Sequence, residues 1–225
     1  MAGNFHQISK YLFQWEDICN VYLIADGDSG LLIDSGSGTV LDHLSDVGIE
    51  RVEWVLHTHH HRDQCQGTPR LRACGAQVAV PEYERHLFEK AEQFWQNRRI
   101  FGNYDDTNNF FTVGRNIAVD AKLADYECFT WRERGFFVLP AKGHTLGSCA
   151  LLAHIDNRLI AFTGDLMVSG GKLYQLHAME YEYGSLQGLM FTLQSITALG
   201  KPKRRCVFAI PWRANHDGIV GYPKA

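Results

Sequence analysis

The stretch Leu56-His57-Thr58-His59-His60-His61-Arg62-Asp63-Gln64 places four histidines and an aspartate within seven positions. It follows Val52-Glu53-Trp54-Val55-Leu56, an apolar run bounded like a strand. Neutral imidazole is a common ligand for zinc and iron, and a carboxylate completes such a site while supplying negative charge. A strand that feeds directly into a loop lets side chains converge on one point. The cluster is internal and stands behind an apolar strand, unlike an expression tag.

Two later segments repeat the pattern of an apolar strand followed by a ligand-type residue in a turn. In Val138-Leu139-Pro140-Ala141-Lys142-Gly143-His144-Thr145-Leu146-Gly147-Ser148, His144 stands among glycines that permit a sharp turn. In Ile160-Ala161-Phe162-Thr163-Gly164-Asp165, the aspartate ends a strand after a glycine. Either segment alone is an ordinary turn. With the histidine cluster, in this order, they mark a metal site.

Around these motifs the chain reads as strands with interspersed helices. Tyr11–Trp15, Val21–Ala25, Leu31–Ile33 and Gln77–Val80 are predicted strands, Val40–Val47 a helix stopped at Gly48, and Pro81–Arg99 a long helix opened by proline. Phe136–Leu139, Cys149–His154, Arg158–Phe162 and Cys206–Ile210 are further strands, and Ser185–Leu199 is a helix ending at Gly200. This alternation in both halves predicts an α/β domain built in layers, one domain over residues 1–225. The segment Phe101–Thr112 reads as a loop over a site.

Composition agrees. The chain has 225 residues, 45% apolar and 21% charged, the balance of a globular protein with its own core. No apolar run approaches the roughly 20 residues of a membrane span, and Met1–His6 has no signal-peptide character, so a cytoplasmic protein is expected. The six cysteines are scattered without a CxxC pair, which excludes a paired-thiolate zinc cluster and predicts a packing role for Cys65. A net charge of −3, with the single short basic run Lys201–Arg205, argues against nucleic acid as a partner.

The motifs resemble those of the metallo-β-lactamase superfamily, which run His-x-His-x-Asp-His, then a Gly-His-Thr-x-Gly-Ser turn, then a Gly-Asp after a strand. His59, His61 and Asp63 match the first, His144 the second and Asp165 the third. Asp34, in Leu32-Ile33-Asp34-Ser35-Gly36, matches the supporting Asp-x-Gly. The resemblance implies a four-layer αβ/βα sandwich. It implies a first metal on His59, His61 and His144, and a second on Asp63 and a bridging Asp165. Zinc, as one or two ions, is the expected cofactor, with iron or manganese as alternatives. His57 and His60 fall on non-ligand positions, His60 as a support of the loop.

The sequence departs from the family pattern twice. Gln64 stands where the last histidine of the first motif is expected, leaving a weaker amide oxygen as candidate ligand. The family usually closes with an apolar strand and a Pro-x-His-Gly type turn whose histidine is the last ligand of the second metal; here Arg213 occupies that position, and His216 follows three residues later as a second candidate. A shortened tail would expose apolar surface and favour a homo-oligomer. The function implied is metal-dependent hydrolysis of a small ester, thioester, lactone or lactam, with Asp63 as the catalytic residue and a small molecule as partner. The alternatives are a mononuclear iron enzyme similar to sulfur dioxygenases and a non-catalytic binding protein on the same fold.

Overall fold

β-Branched and aromatic residues between turn signals form the strands here, and the turns set how they pair. The computed structural model describes residues 4–97, 114–167, 186–201, 213–214 and 219–222. The chain divides into two compact units, Met1–Lys122 and Leu123–Ala225.

In the first unit, β1 (Phe5–Ser9), β2 (Leu12–Glu16), β3 (Asn20–Asp26) and β4 (Ser29–Ile33) pair antiparallel in succession. β5 (Arg51–Leu56) then lies parallel to β4, and β6 (Gln77–Pro81) parallel to β5. β7 (Ala121–Leu123) completes the order β1-β2-β3-β4-β5-β6-β7. The parallel run matters for function: β4 and β5 end on the same edge, so the loops that begin at Asp34 and His57 leave the sheet side by side.

The β4–β5 crossover carries a 3-10 helix, Thr39–Val47, which stops where Gly48 takes φ 75° and donates to the carbonyls of Leu44 and Ser45. The β5–β6 crossover carries α1 (Arg62–Cys65) and α2 (Thr68–Ala73). Val21, Leu23, Leu32, Val55, Val40, Leu44 and Leu71 form one core cluster. Cys65, Val78, Val80, Phe88 and Ala91 form another.

The expected helix over Pro81–Arg99 is not continuous. Pro81 ends β6, a 3-10 turn spans Glu82–Glu84, and α3 (Arg85–Glu89) and α4 (Ala91–Asn97) are separated at Lys90, with φ −124° and ψ 33°. Burial of Glu84, Leu87 and Phe88 sets the course of this segment over local helix propensity.

In the second unit, β8 (Cys128–Trp131), β9 (Arg134–Pro140), β10 (Cys149–Ile155) and β11 (Arg158–Phe162) join the short β12 (Arg213–Ala214) and β13 (Ile219–Tyr222) in the antiparallel order β12-β13-β11-β10-β9-β8. Asp156 and Asn157 turn β10 into β11 with φ 51° and 62°, the paired left-handed conformation of a tight hairpin. α5 (Gln187–Leu199) packs through Ile196 and Leu199 against Leu139, Ala141, Leu152 and Leu166. Among the described residues no helix is long and apolar enough to cross a membrane. The predicted strand Cys206–Ile210 and the loop Phe101–Thr112 lie outside the described residues.

Candidate metal centre

Asp34, the first residue after β4, holds φ 59°, an unusual conformation for a residue other than glycine. Its backbone N–H donates to the carbonyl of Leu56 at 2.9 Å, which ties the two strand ends together. Its carboxylate accepts from Thr58 N–H at 2.9 Å and from the Thr58 hydroxyl at 2.8 Å, and it lies 3.2 Å from His57 Nδ1. A carboxylate only accepts, so His57 carries its proton at Nδ1 toward Asp34. His57 Nε2 lies 2.9 Å from the Thr68 hydroxyl, which in turn is 3.0 Å from the hydroxyl of Ser35. Ser35 donates its N–H (2.8 Å) and its hydroxyl (3.0 Å) to the carbonyl of Gln64. This buried chain backs the histidine loop on the side of the sheet.

The same network selects the tautomer of His59. The Thr58 hydroxyl proton goes to Asp34, so the oxygen 3.1 Å from His59 Nδ1 is an acceptor for that N–H. Neutral His59 then carries its lone pair at Nε2, a buried atom of the kind a metal takes. The ring of His61 lies 4.8 Å from that of His59, at 79° to it, and its Nε2 is buried too. His61 is extended (φ −63°, ψ 150°) and caps α1, whose first turn holds Asp63 and Gln64. Two buried imidazoles beside a carboxylate are a donor set that fits zinc.

Gln64 Nε2 donates to Asp63 Oδ2 at 3.1 Å, so it is the amide nitrogen that faces the carboxylate. Cys65 is fully buried, and its thiol reaches the carbonyls of His61 (3.1 Å) and His60 (3.4 Å). Burial, helped by the negative charges of Asp34, Asp63 and Glu84, pushes that thiol well above its ordinary pKa. It therefore packs as a neutral group. His60 is held elsewhere: its N–H and its Nδ1 both meet Glu84 Oε2, at 2.7 and 3.0 Å.

In the second unit, His144 and Asp165 come together, with Nε2 and Oδ2 3.4 Å apart and both residues half-buried. Gly143 adopts φ 142° directly against α5: a Cβ there would stand 2.1 Å from Thr192 Oγ1 and 2.7 Å from its backbone. Ser195 on the same helix donates to the Lys142 carbonyl at 2.7 Å, and the Ser148 hydroxyl accepts from the N–H of Thr145 at 3.1 Å. Gly164, with φ 51°, opens the 3-10 turn that presents Asp165. His216 lies outside the described residues.

The motifs in the sequence point to the histidines, Asp63, Asp34, His144 and Asp165 but not to Glu84, Thr68 or Ser35. Glu84 had no signal, because Glu82-Tyr83-Glu84-Arg85 reads as a solvated helix face.

A family model described as the metallo-β-lactamase superfamily matches residues 15–177. Among solved structures, FEZ-1 metallo-β-lactamase from Legionella gormanii is 18% identical, with a TM-score of 0.66 over 89% of this chain and 77% of that one. The subclass B3 metallo-β-lactamase BJP-1 of Bradyrhizobium japonicum is 16% identical, with a TM-score of 0.63 over 88% and 74%. The Cronobacter sakazakii metallo-β-lactamase with a HARLDQ motif is 16% identical, with a TM-score of 0.66 over 89% and 77%. No curated protein sequence matches the chain. At these identities the likeness shows the fold, the αβ/βα sandwich expected from the motifs.

Proposed function

The chain belongs to the metallo-β-lactamase superfamily, and from that premise we propose that it is a metal-dependent hydrolase of a small ester, thioester, lactone or lactam. The observation that carries this reading is the pair His59 and His61, buried and backed by the Asp34–Thr58 network that leaves the His59 lone pair at Nε2. In the proposed site His59, His61 and His144 hold one zinc, the number and type of protein ligands usual for catalytic zinc. A zinc ion held there would supply Lewis-acid activation of water, of the kind that lowers its pKa from 15.7 to about 7.

Asp63 is the residue assigned to orient that water and accept its proton. The Gln64 amide donates to Asp63 Oδ2 at 3.1 Å, which helps to orient the carboxylate for that role. Asp165 is assigned to stand beside His144 as the second carboxylate. If a second ion binds, Asp63 and Asp165 are its anchors, with Gln64 or His216 completing it. The HARLDQ motif of the Cronobacter sakazakii enzyme also begins with His and ends Asp-Gln, as His59, Asp63 and Gln64 do here. That parallel supports Gln64 as a variant found within the family's motif.

The test is a panel of ester, thioester, lactone and lactam substrates with zinc-loaded protein. Turnover that chelation stops and zinc restores is expected, and Asp63→Asn is expected to fold but lose it. A folded Asp63→Asn protein with full activity would remove Asp63 from the mechanism, and turnover indifferent to chelation would remove the metal.

A further inference from the structure

We propose that Glu84 is a positioning residue for metal binding, gripping the histidine loop through His60 so that His59 and His61 stay aimed at a common point. The proposal rests on the metal-dependent reading above.

Glu84 Oε2 accepts two bonds from one residue: His60 N–H at 2.7 Å and His60 Nδ1 at 3.0 Å. Holding backbone and side chain at one oxygen fixes both the peptide plane between His59 and His60 and the direction of the His60 ring. The plane of that peptide sets the direction in which His59 leaves the chain. On the other side, the Cys65 thiol holds the carbonyls of His60 and His61. The His60 ring packs 4.9 Å from that of His61, at 64°, and 6.2 Å from that of Phe94. The grip therefore reaches both flanking histidines, one through the backbone and one through ring packing.

The cost of this arrangement points to function. The side chains of His60 and Glu84 are 0% and 2% exposed, and a buried carboxylate is expensive unless it is paired and hydrogen-bonded. Glu84 closes a 3-10 turn, Glu82–Glu84, that stands where the sequence favours the first turn of an α-helix. Such a departure from local preference next to a ligand loop is the pattern of a site in which geometry is held at the expense of ease of folding. Partners that orient metal ligands typically change metal affinity by about 10–100-fold when removed.

The experiment measures zinc affinity of the full chain by chelator competition, and the visible absorption of the cobalt(II)-substituted protein, for wild type, Glu84→Ala, Glu84→Asp and Glu84→Gln. Thermal melts of the metal-free proteins establish folding. A wild-type chain that binds no zinc overturns the metal reading itself. Given wild-type binding, Glu84→Ala is expected to weaken zinc by at least about tenfold and to alter the cobalt bands. Glu84→Gln, which keeps an acceptor oxygen at the same reach, is expected to restore most of the affinity. If Glu84→Ala does not fold, Glu84→Asp, whose carboxylate is drawn back from His60, carries the same expected loss. Folded Glu84→Ala or Glu84→Asp with wild-type affinity and spectrum would overturn the proposal, as would a Glu84→Gln no tighter than Glu84→Ala.

Discussion

Replacing Gly67 by alanine isolates the packing that supports the histidine loop. A Cβ at Gly67 would stand 2.3 Å from the backbone N of Gly38, 2.4 Å from its Cα and 2.8 Å from the carbonyl oxygen of Ser35. Ordinary contact is about 3.5–4.0 Å, and every atom in the way is backbone, so no rotamer change relieves the overlap. The conformation of Gly67 (φ −78°, ψ −14°) suits alanine, so the cost is steric alone. Overpacking of this kind costs about 1–3 kcal/mol, and the gain from a stiffer unfolded chain returns about 0.5 kcal/mol. A net loss near 1.5 kcal/mol lowers Tm by about 3–6 °C in a chain of this size. Gly48→Ala is the control. Its φ is 75° with no atom within 4 Å, so only left-handed strain of about 1 kcal/mol is expected. The two differ further in zinc affinity. Gly67 N–H donates to the Gly36 carbonyl at 2.8 Å, beside the Ser35 bonds to Gln64. Pushing that loop away therefore disturbs the metal loop in Gly67→Ala and leaves it intact in Gly48→Ala. Thermal melts of the metal-free proteins and chelator competition read both effects. A Gly67→Ala protein that melts no lower than Gly48→Ala and binds zinc equally well would show that the Gly38–Gly67 contact does not support the histidine loop.

Thr58→Val removes the hydroxyl between Asp34 and His59, leaving the carboxylate short of a donor and His59 Nδ1 short of that acceptor. A loss of about 1–3 kcal/mol in stability and about 10–100-fold in zinc affinity is expected, with Thr58→Ser restoring both; chelator competition and melts check it. For Cys65, the folded thiol holds its proton more tightly than the unfolded one, so its contribution is complete below the ordinary thiol pKa of about 8.5 and is lost as pH rises above it. Urea midpoints at pH 8 and pH 10 are expected to fall more in wild type than in Cys65→Ala, by up to about 1.4 kcal/mol per pH unit; equal falls would show that the buried thiol does not contribute.

The strands and the family motifs were legible because each depends on neighbours in sequence. Val52–Leu56 is an apolar run that ends in histidines, and β10 and β11 are joined by Asp156-Asn157, a turn pair visible by eye. What was not legible depends on contacts between distant residues. Glu84 is buried because His60, 24 positions earlier, needs an acceptor, and no local pattern distinguishes it from the exposed Glu82. The break between α3 and α4 follows from packing Phe88 into the cluster with Val78 and Val80. β1 was missed because Phe5-His6-Gln7-Ile8-Ser9 is half polar, with two exposed positions. Gly38 and Gly67 look like ordinary loop glycines until the fold brings their backbones into contact.

Metal content measured by elemental analysis, as moles of zinc, iron and manganese per chain in wild type, His59→Ala and His144→Ala, tests the central claim most directly. At least one zinc per wild-type chain is expected, with little or none in either variant. A wild-type chain that takes up no metal after supplementation would contradict the enzyme reading. Iron alone, with oxygen uptake on a persulfide, would replace the hydrolase with an oxidoreductase.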